Sequence, residues 1–496
     1  MSVRLEDKIA ERFARDPSQR VLWWRGVWEN AEETERKTAL CAEALRRGGF
    51  QPGSRLAVFL PNSPLVLYLS MAAWQLGGSI VPLNPRGGGE WILSILDHID
   101  PFGVVVDEEM EELAALVRKN GLPSAAVPPD GVIPSFRGRG DRAEQDPEVA
   151  VIFATSGTTG APKAVPLTHG NLFDNTRGVH ETIEGFEQGR VLMNVLPNFH
   201  SFGYTVCGIL PLLWGLPEAL LPGFLPLKKL FEGLRESDTG ILIAVPTMLP
   251  FILGAASKGE KLPEDLRYIL TGGGKLDPNL ENRFREQLGV ITFEGYGLTE
   301  CSPVVSSNPS DILRKTGTVG PALPGYSVEV RDEEGNVLPA GEEGVLWLKG
   351  PSVARGYFRD PDLTAERFRD GWLNTDDMVK VDEEGYITIL DRASDLIIVG
   401  GFNVYPQEVE TVIKELPGVR EAVVIGVENP VSGEVPVAFI ILDEGVDLDA
   451  PAVIGHCKGK MAHFKVPRKV SFVDELPLSA VGKVLKRRLR EEAGRR

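Results

Sequence analysis

Short runs of β-branched and apolar residues alternate with helix-like patterns through most of the first 300 residues, and this alternation constrains the fold more than any other feature. Arg55–Leu60 reads as a strand, Pro64–Gln75 as a helix and Ser79–Pro82 as the next strand. Val104–Val106, Ala150–Ala154, Val191–Val195, Ile241–Val245, Tyr268–Leu270 and Val290–Phe293 continue the series. Such alternation predicts parallel sheets covered by helices, with ligands at the carboxyl ends of the strands. A chain of 496 residues is also too long for a single core. Gly121–Pro147 shifts to Pro, Gly and charge and reads as an exposed loop between two sheet units, while Gly317–Leu390 has the short strands and turns of a small β-barrel or β-rich subdomain. After Asp391 a compact unit begins: Val409, Val412, Ile413 and Leu416 share one face of a helix starting at Pro406, and Val423–Val427 and Val435–Leu442 read as strands. Lys483–Glu492 reads as a terminal helix. The expectation is an α/β protein with a large N-terminal domain, residues 1–391, of two helix-covered sheets plus the barrel-like subdomain. A small, mobile α+β domain, residues 392–496, follows it.

The net charge of −17 disfavours non-specific binding to nucleic acid or anionic membrane. That charge lies in the first 391 residues, because Arg392–Arg496 holds 15 Lys and Arg against 15 Asp and Glu. Cys41, Cys207, Cys301 and Cys457 are scattered without metal-ligand spacing, which suits reduced thiols and a cytoplasmic protein. Met1–Arg20 lacks the apolar core of a signal peptide. The most apolar stretch, Tyr204–Leu227, is interrupted by Pro211, Pro217, Pro222 and Pro226, so it reads as buried core and not as a transmembrane span.

The chemistry-bearing segment follows Ala150–Ala154. It reads Thr155-Ser156-Gly157-Thr158-Thr159-Gly160-Ala161-Pro162-Lys163. Glycines let backbone N–H groups converge on oxygen, hydroxyls donate further bonds, and lysine adds fixed charge, so a polyphosphate is the fitting ligand. It is not a Walker loop, because Pro162 stands where that pattern needs its second glycine and Ala164 follows the lysine. A plain Ser/Gly-rich surface turn is the alternative. The segment resembles the signature of the adenylate-forming superfamily, which comprises acyl-CoA synthetases, adenylation domains and luciferases.

The rest of the chain carries further segments of that resemblance in the family's order. Leu196-Pro197-Asn198-Phe199-His200-Ser201-Phe202-Gly203 is similar to the acid-pocket segment, with His200 near the carboxylate; a core histidine is the other reading. Thr271-Gly272-Gly273-Gly274-Lys275 resembles the adenine and acyl pocket, assigning Gly273 and Gly274 to the nucleotide, with Lys275 where relatives carry a small residue or proline. Gly295-Tyr296-Gly297-Leu298-Thr299-Glu300 implies that Tyr296 stacks on adenine, Thr299 contacts the α-phosphate or acyl oxygen, and Glu300 holds Mg2+. Its continuation Cys301–Ser306 is similar to long-chain fatty-acid–CoA ligases. Trp372-Leu373-Asn374-Thr375-Asp376-Asp377 implies a ribose contact at Asp377, with Asp376 replacing the usual glycine. Asp391-Arg392 resembles the domain junction, Arg392 being a second ribose contact and Ser394 standing at the usual hinge position. Gly400 and Gly401 match the segment lining the thiol tunnel for coenzyme A, and Gly482-Lys483 matches the catalytic lysine motif.

The resemblance implies ATP, Mg2+ and coenzyme A acting on a carboxylic acid, with the C-terminal domain rotating between two half-reactions. A medium- or long-chain fatty acid is the expected acid. Aryl acids, an acyl carrier protein as acceptor, and a non-catalytic nucleotide-binding protein on this fold remain open. Neither a nucleic-acid partner nor a membrane span is expected, and the oligomeric state is open between monomer and homodimer.

Overall fold

The computed structural model describes residues 3–128, 131, 133, 137–139, 146–156, 162–400, 402–429, 432–478 and 484–494. Contacts divide the chain into two compact units. The first comprises Met1–Val328, Leu348–Leu373 and Asp382–Ile387, and the second Glu329–Trp347, Asn374–Val381 and Thr388–Arg496.

The first unit holds two sheets. One has the strand order Ser124–Val127, Gly103–Asp107, Arg55–Phe59, Ser79–Pro82, Val149–Ser156, Pro162–Thr168. Its strands run parallel except for the last, which returns antiparallel as a hairpin. Every residue of Gly103–Asp107 is buried, as the continuous apolar run demands for a strand covered on both faces. The helix Pro64–Gln75 opens with proline in its first turn and is buried from Pro64 to Trp74. The Trp74 indole donates to the Ala150 carbonyl at 2.8 Å, tying this helix to the strand that leads into the candidate phosphate loop.

The second sheet has the order Val304–Ser307, Ile291–Gly297, Tyr268–Thr271, Ile241–Ala244, Leu192–Asn194, Glu218–Leu220, Arg20–Trp24, Val27–Asn30. Its six inner strands are parallel, and each edge strand is antiparallel. The candidate segments beginning at Leu196, Gly272 and Leu298 therefore follow the carboxyl ends of strands in one sheet.

The apolar stretch Tyr204–Leu227 is core only as far as Leu220, and Leu221–Leu227 is half-buried or exposed, with Leu225 68% exposed. It continues a wide helical turn, Phe202–Ile209, into the helix Leu210–Trp214 and the strand Glu218–Leu220, nearly all buried. No helix among the described residues is long and apolar enough to cross a membrane. Another expectation needs correction. Gly121–Pro147 is not all loop: Ser124–Val127 adds a parallel edge strand beside Gly103–Asp107. The N-terminal helix Leu5–Arg15 and the strand pair Arg20–Trp24 and Val27–Asn30 add to the predicted elements, the helix burying Leu5, Ile9 and Phe13 on one face.

In the second unit, Gly433–Leu442 pairs antiparallel with Val419–Asn429 and parallel with Lys469–Phe472, and the hairpin Ile397–Val399/Phe402–Val404 extends the sheet. Val409 and Ile413 of the helix Pro406–Lys414 are fully buried against Val424, Ala438 and Ile440. The predicted helical face is thus the packed one. The β-rich region, whose residues are divided between the two units, has the strands Ser327–Arg331, Glu343–Lys349, Phe368–Arg369, Trp372–Val381 and Ile387–Arg392, with Phe368–Arg369 antiparallel to Trp372–Leu373. The terminal helix is Lys486–Gly494, three residues later than expected at its start.

Candidate active site

In the first unit the hairpin register sets Thr155 opposite Lys163 and Ser156 opposite Pro162. Gly157, Thr158, Thr159 and Gly160, assigned to the same loop, lie outside the described residues. The Lys163 ammonium lies 5.7 Å from the centroid of the Tyr357 ring. The Tyr357 hydroxyl donates to Glu300 Oε1 at 2.7 Å. Burial and the Glu300 carboxylate both push the Tyr357 hydroxyl well above its ordinary pKa, so it remains a donor. The candidate phosphate hairpin and the candidate metal ligand are thus joined through one aromatic side chain.

Glu300 sits in the single turn Thr299–Cys301, and its carbonyl accepts the Ala354 N–H at 2.7 Å. The Thr299 and Ser201 hydroxyls lie 3.0 Å apart in a hydrogen bond. Next to Ser201, His200 accepts the Phe202 N–H on Nδ1 at 3.3 Å, an arrangement that fits a neutral ring protonated on Nε2. A Cβ on Gly203 would come within 2.5 Å of the Pro197 carbonyl oxygen, so this turn closes only around glycine. Four segments far apart in sequence meet here.

Backbone packs against backbone in the segments expected to take adenine. A Cβ on Gly297 would lie 2.2 Å from the Pro303 carbonyl oxygen, and one on Gly272 would lie 3.1 Å from that of Gly295. Gly273 and Gly274 are exposed, and Gly273 has φ +80°. Tyr296, at the end of the strand Ile291–Gly297, pairs with Ser306. Beneath the glycine turn, Glu294 accepts the Leu276 N–H at 2.9 Å. Burial pushes its carboxyl up to about 7, against the opposing charge of Lys275.

The second unit brings together the two expected ribose contacts. Arg392 Nε lies 2.9 Å from Asp377 Oδ1, and the guanidinium also donates to the Thr375 carbonyl at 3.1 Å. Asp376 adopts φ +63°, and its N–H donates to Asn374 Oδ1 at 2.9 Å. The left-handed turn that glycine would favour is therefore kept by an aspartate, one of the few residue types that tolerate it. Buried Asp391 accepts the N–H groups of Arg392 at 2.8 Å and Gln407 at 3.0 Å, which fastens the junction to the helix Pro406–Lys414. Gly400 has φ +59° at the turn of the hairpin Ile397–Val399/Phe402–Val404. Gly401 and Lys483 lie outside the described residues, as does the Ser394 side chain.

A family model described as AMP-binding enzyme matches residues 9–358, and one described as AMP-binding enzyme C-terminal domain matches 408–483. The chain belongs to the AMP-binding enzyme family. A long-chain-fatty-acid–CoA ligase of Escherichia coli O6:H1 is 30% identical, the match covering 99% of this chain and 94% of that protein. A feruloyl-CoA synthase of Amycolatopsis sp is 33% identical over 93% of each chain. The solved structure of ATP-bound MatB from Rhodopseudomonas palustris superposes with a TM-score of 0.90 at 33% identity, covering 99% of both chains. The two-domain adenylate-forming fold expected from the sequence is therefore present, within a family of adenylate-forming acid–CoA ligases.

For this AMP-binding enzyme the sequence motifs missed Tyr357, Ser201 as the partner of Thr299, and Glu294. Tyr357 stands alone between Gly356 and Phe358 with no patterned neighbours. Its importance lies in what it faces, which no local signal carries.

Proposed function

We propose that this AMP-forming carboxylic acid–CoA ligase activates a medium- or long-chain fatty acid with ATP. The observation carrying the site assignment is the joined set Lys163–Tyr357–Glu300 and Thr299–Ser201, next to His200. Two anions must approach each other, a carboxylate and the ATP α-phosphate, and their repulsion grows where water is excluded. Donors and cations aimed at the developing charge therefore supply much of the catalysis. In the first half-reaction a carboxylate oxygen bonds to the α-phosphorus and the bond to pyrophosphate breaks. Thr155, Lys163 and the loop between them receive the pyrophosphate charge, Thr299 contacts the reacting oxygens, and Lys483 neutralises the charge between the reactants. Tyr296 stacks on adenine, and Asp377 with Arg392 holds the ribose.

The hard oxygen donors Glu300 and Thr299 fit Mg2+, which takes one or two carboxylates together with phosphate oxygens and screens their charge. In the second half-reaction the coenzyme A thiol, its proton lost to solvent, bonds to the acyl carbon as the acyl C–O bond to the phosphate breaks, and AMP leaves. Gly400 and Gly401 border its path. The functional division lies at 391/392, the C-terminal domain turning about Arg392–Asp395 between the two steps. The four buried free cysteines are in keeping with a cytoplasmic setting.

Pyrophosphate release against acids of graded chain length, with ferulate and related aryl acids included and with and without coenzyme A, tests the substrate. A maximum among alkyl acids supports the reading, and a maximum among aryl acids replaces it. Lys483→Ala is expected to lose adenylation yet still convert preformed acyl-AMP and thiol to thioester. Equal loss of both steps would overturn the two-orientation scheme.

A further inference from the structure

Four buried polar side chains run beneath the turn that carries His200 and Ser201. Asn62, from the loop before the helix Pro64–Gln75, donates to the Leu196 carbonyl at 2.5 Å and accepts the Asn198 N–H at 2.8 Å. It therefore clamps both ends of Leu196–Asn198. From below, Asn194 donates to Asn198 Oδ1 at 3.0 Å and to Glu218 Oε1 at 2.9 Å. Asn62, Asn194, Asn198 and Glu218 are 4%, 0%, 2% and 0% exposed, so the whole chain lies in the core.

Such a chain is a poor way to fill a core. Glu218 Oε2, Asn194 Oδ1 and Asn198 Nδ2 have no hydrogen-bond partner among the described residues. Unpaired buried polar atoms cost stability that apolar side chains of similar volume would not. Burial also pushes the Glu218 carboxyl up to about 8, so it stands as a neutral acid at neutral pH and avoids a bare buried charge. What the chain supplies is direction. It pins a turn at two backbone points and one side chain, and the turn presents Ser201 to Thr299 and His200 beside it.

We infer that Glu218, Asn194, Asn198 and Asn62 are positioning residues for the acid side of the reaction centre, holding the His200–Ser201 turn against the strands Leu192–Asn194 and Glu218–Leu220. The inference rests on the proposed role of His200 at the acid carboxylate. No residue of the chain touches the reacting atoms. It acts through the turn.

Three variants test it: Glu218→Leu, which keeps volume and removes the polar end; Glu218→Gln, which keeps an acceptor for Asn194; and Asn62→Ala, which releases the turn from the other side. Each is followed by thermal unfolding, by 15N-histidine ring spectra of the six histidines, and by the KM for acid and for ATP in pyrophosphate exchange. Glu218→Leu is expected to lower the unfolding midpoint, because buried Asn194 loses an acceptor, to move the His200 ring signals alone, and to raise the acid KM roughly tenfold or more with the ATP KM held. Glu218→Gln is expected to restore both. If Glu218→Leu does not fold, Asn62→Ala carries the same two readouts. Unmoved His200 signals with an unchanged acid KM overturn the inference. So does a loss shared equally by acid and ATP that the glutamine variant fails to rescue. Should the wild type release no pyrophosphate with any acid, the functional proposal fails, and the histidine spectra still decide whether the chain positions the turn.

Discussion

Tyr357 joins two candidate site residues, because its ring faces Lys163 while its hydroxyl donates to Glu300. Tyr357→Phe keeps the ring and removes only the hydrogen bond to the carboxylate. Bonds to charged groups contribute about 1.5–3 kcal/mol, so kcat/KM for ATP is expected to fall roughly 10- to 100-fold, with a shifted Mg2+ dependence of pyrophosphate exchange. An unchanged Mg2+ profile would detach Tyr357 from the proposed metal site. Gly297 is constrained more harshly. A Cβ there lies 2.2 Å from a backbone oxygen. Gly297→Ala is expected to cost about 3 kcal/mol, read as a lower urea midpoint, because the strand must move to admit it.

At the scale of elements, Glu218 ties the strand Glu218–Leu220 to pH. Its folded value of about 8 lies above the ordinary 4.5. Between these values the folded chain keeps a proton that the unfolded chain has lost, so stability falls as pH rises through that window and levels off above it. Unfolding midpoints from pH 5 to 9 should decline less steeply in Glu218→Gln than in the wild type. The terminal helix Lys486–Gly494 is anchored differently. Lys486 lies 3.1 Å from Glu410, whose carboxyl is pushed up by burial and which also accepts the Val424 N–H at 2.8 Å. Arg490 pairs with Asp395 at the junction. Lys486→Met strands the Glu410 carboxylate in a largely buried position, at a cost of about 3 kcal/mol. The helix should then lose hydrogen-exchange protection before the neighbouring strands do.

At the scale of the whole molecule, the two units keep separate cores. Leu56, Val105 and Val151 pack in the first, whereas Ile413, Val424 and Ile440 pack in the second. Ile413→Ala should cost about 2–5 kcal/mol locally. Exchange protection is expected to drop across residues 397–494 and to hold in the strands Arg55–Phe59 and Gly103–Asp107. Protection lost equally in both units would mean that they unfold as one.

Much of this was legible in the chain. Apolar runs marked the parallel strands, since a strand covered on both faces has no polar alternation to hide it. Dense glycine, hydroxyl and lysine spacing marked Thr155–Lys163 and Gly295–Glu300 as candidate segments, because such composition is costly except where backbone must approach a ligand. The retained turn at Asp376, the Tyr357–Glu300 bond and the buried chain below His200 were not legible. Glu218 and Tyr357 look ordinary among their neighbours. The sequence by itself determined the family, the strand-and-helix alternation and the order of the family-like segments, all of which are written in local spacing. The tertiary structure alone decided which lone side chains matter, because a hydrogen bond between residues 57 positions apart, or a carboxyl left without water, exists only once packing has chosen its neighbours.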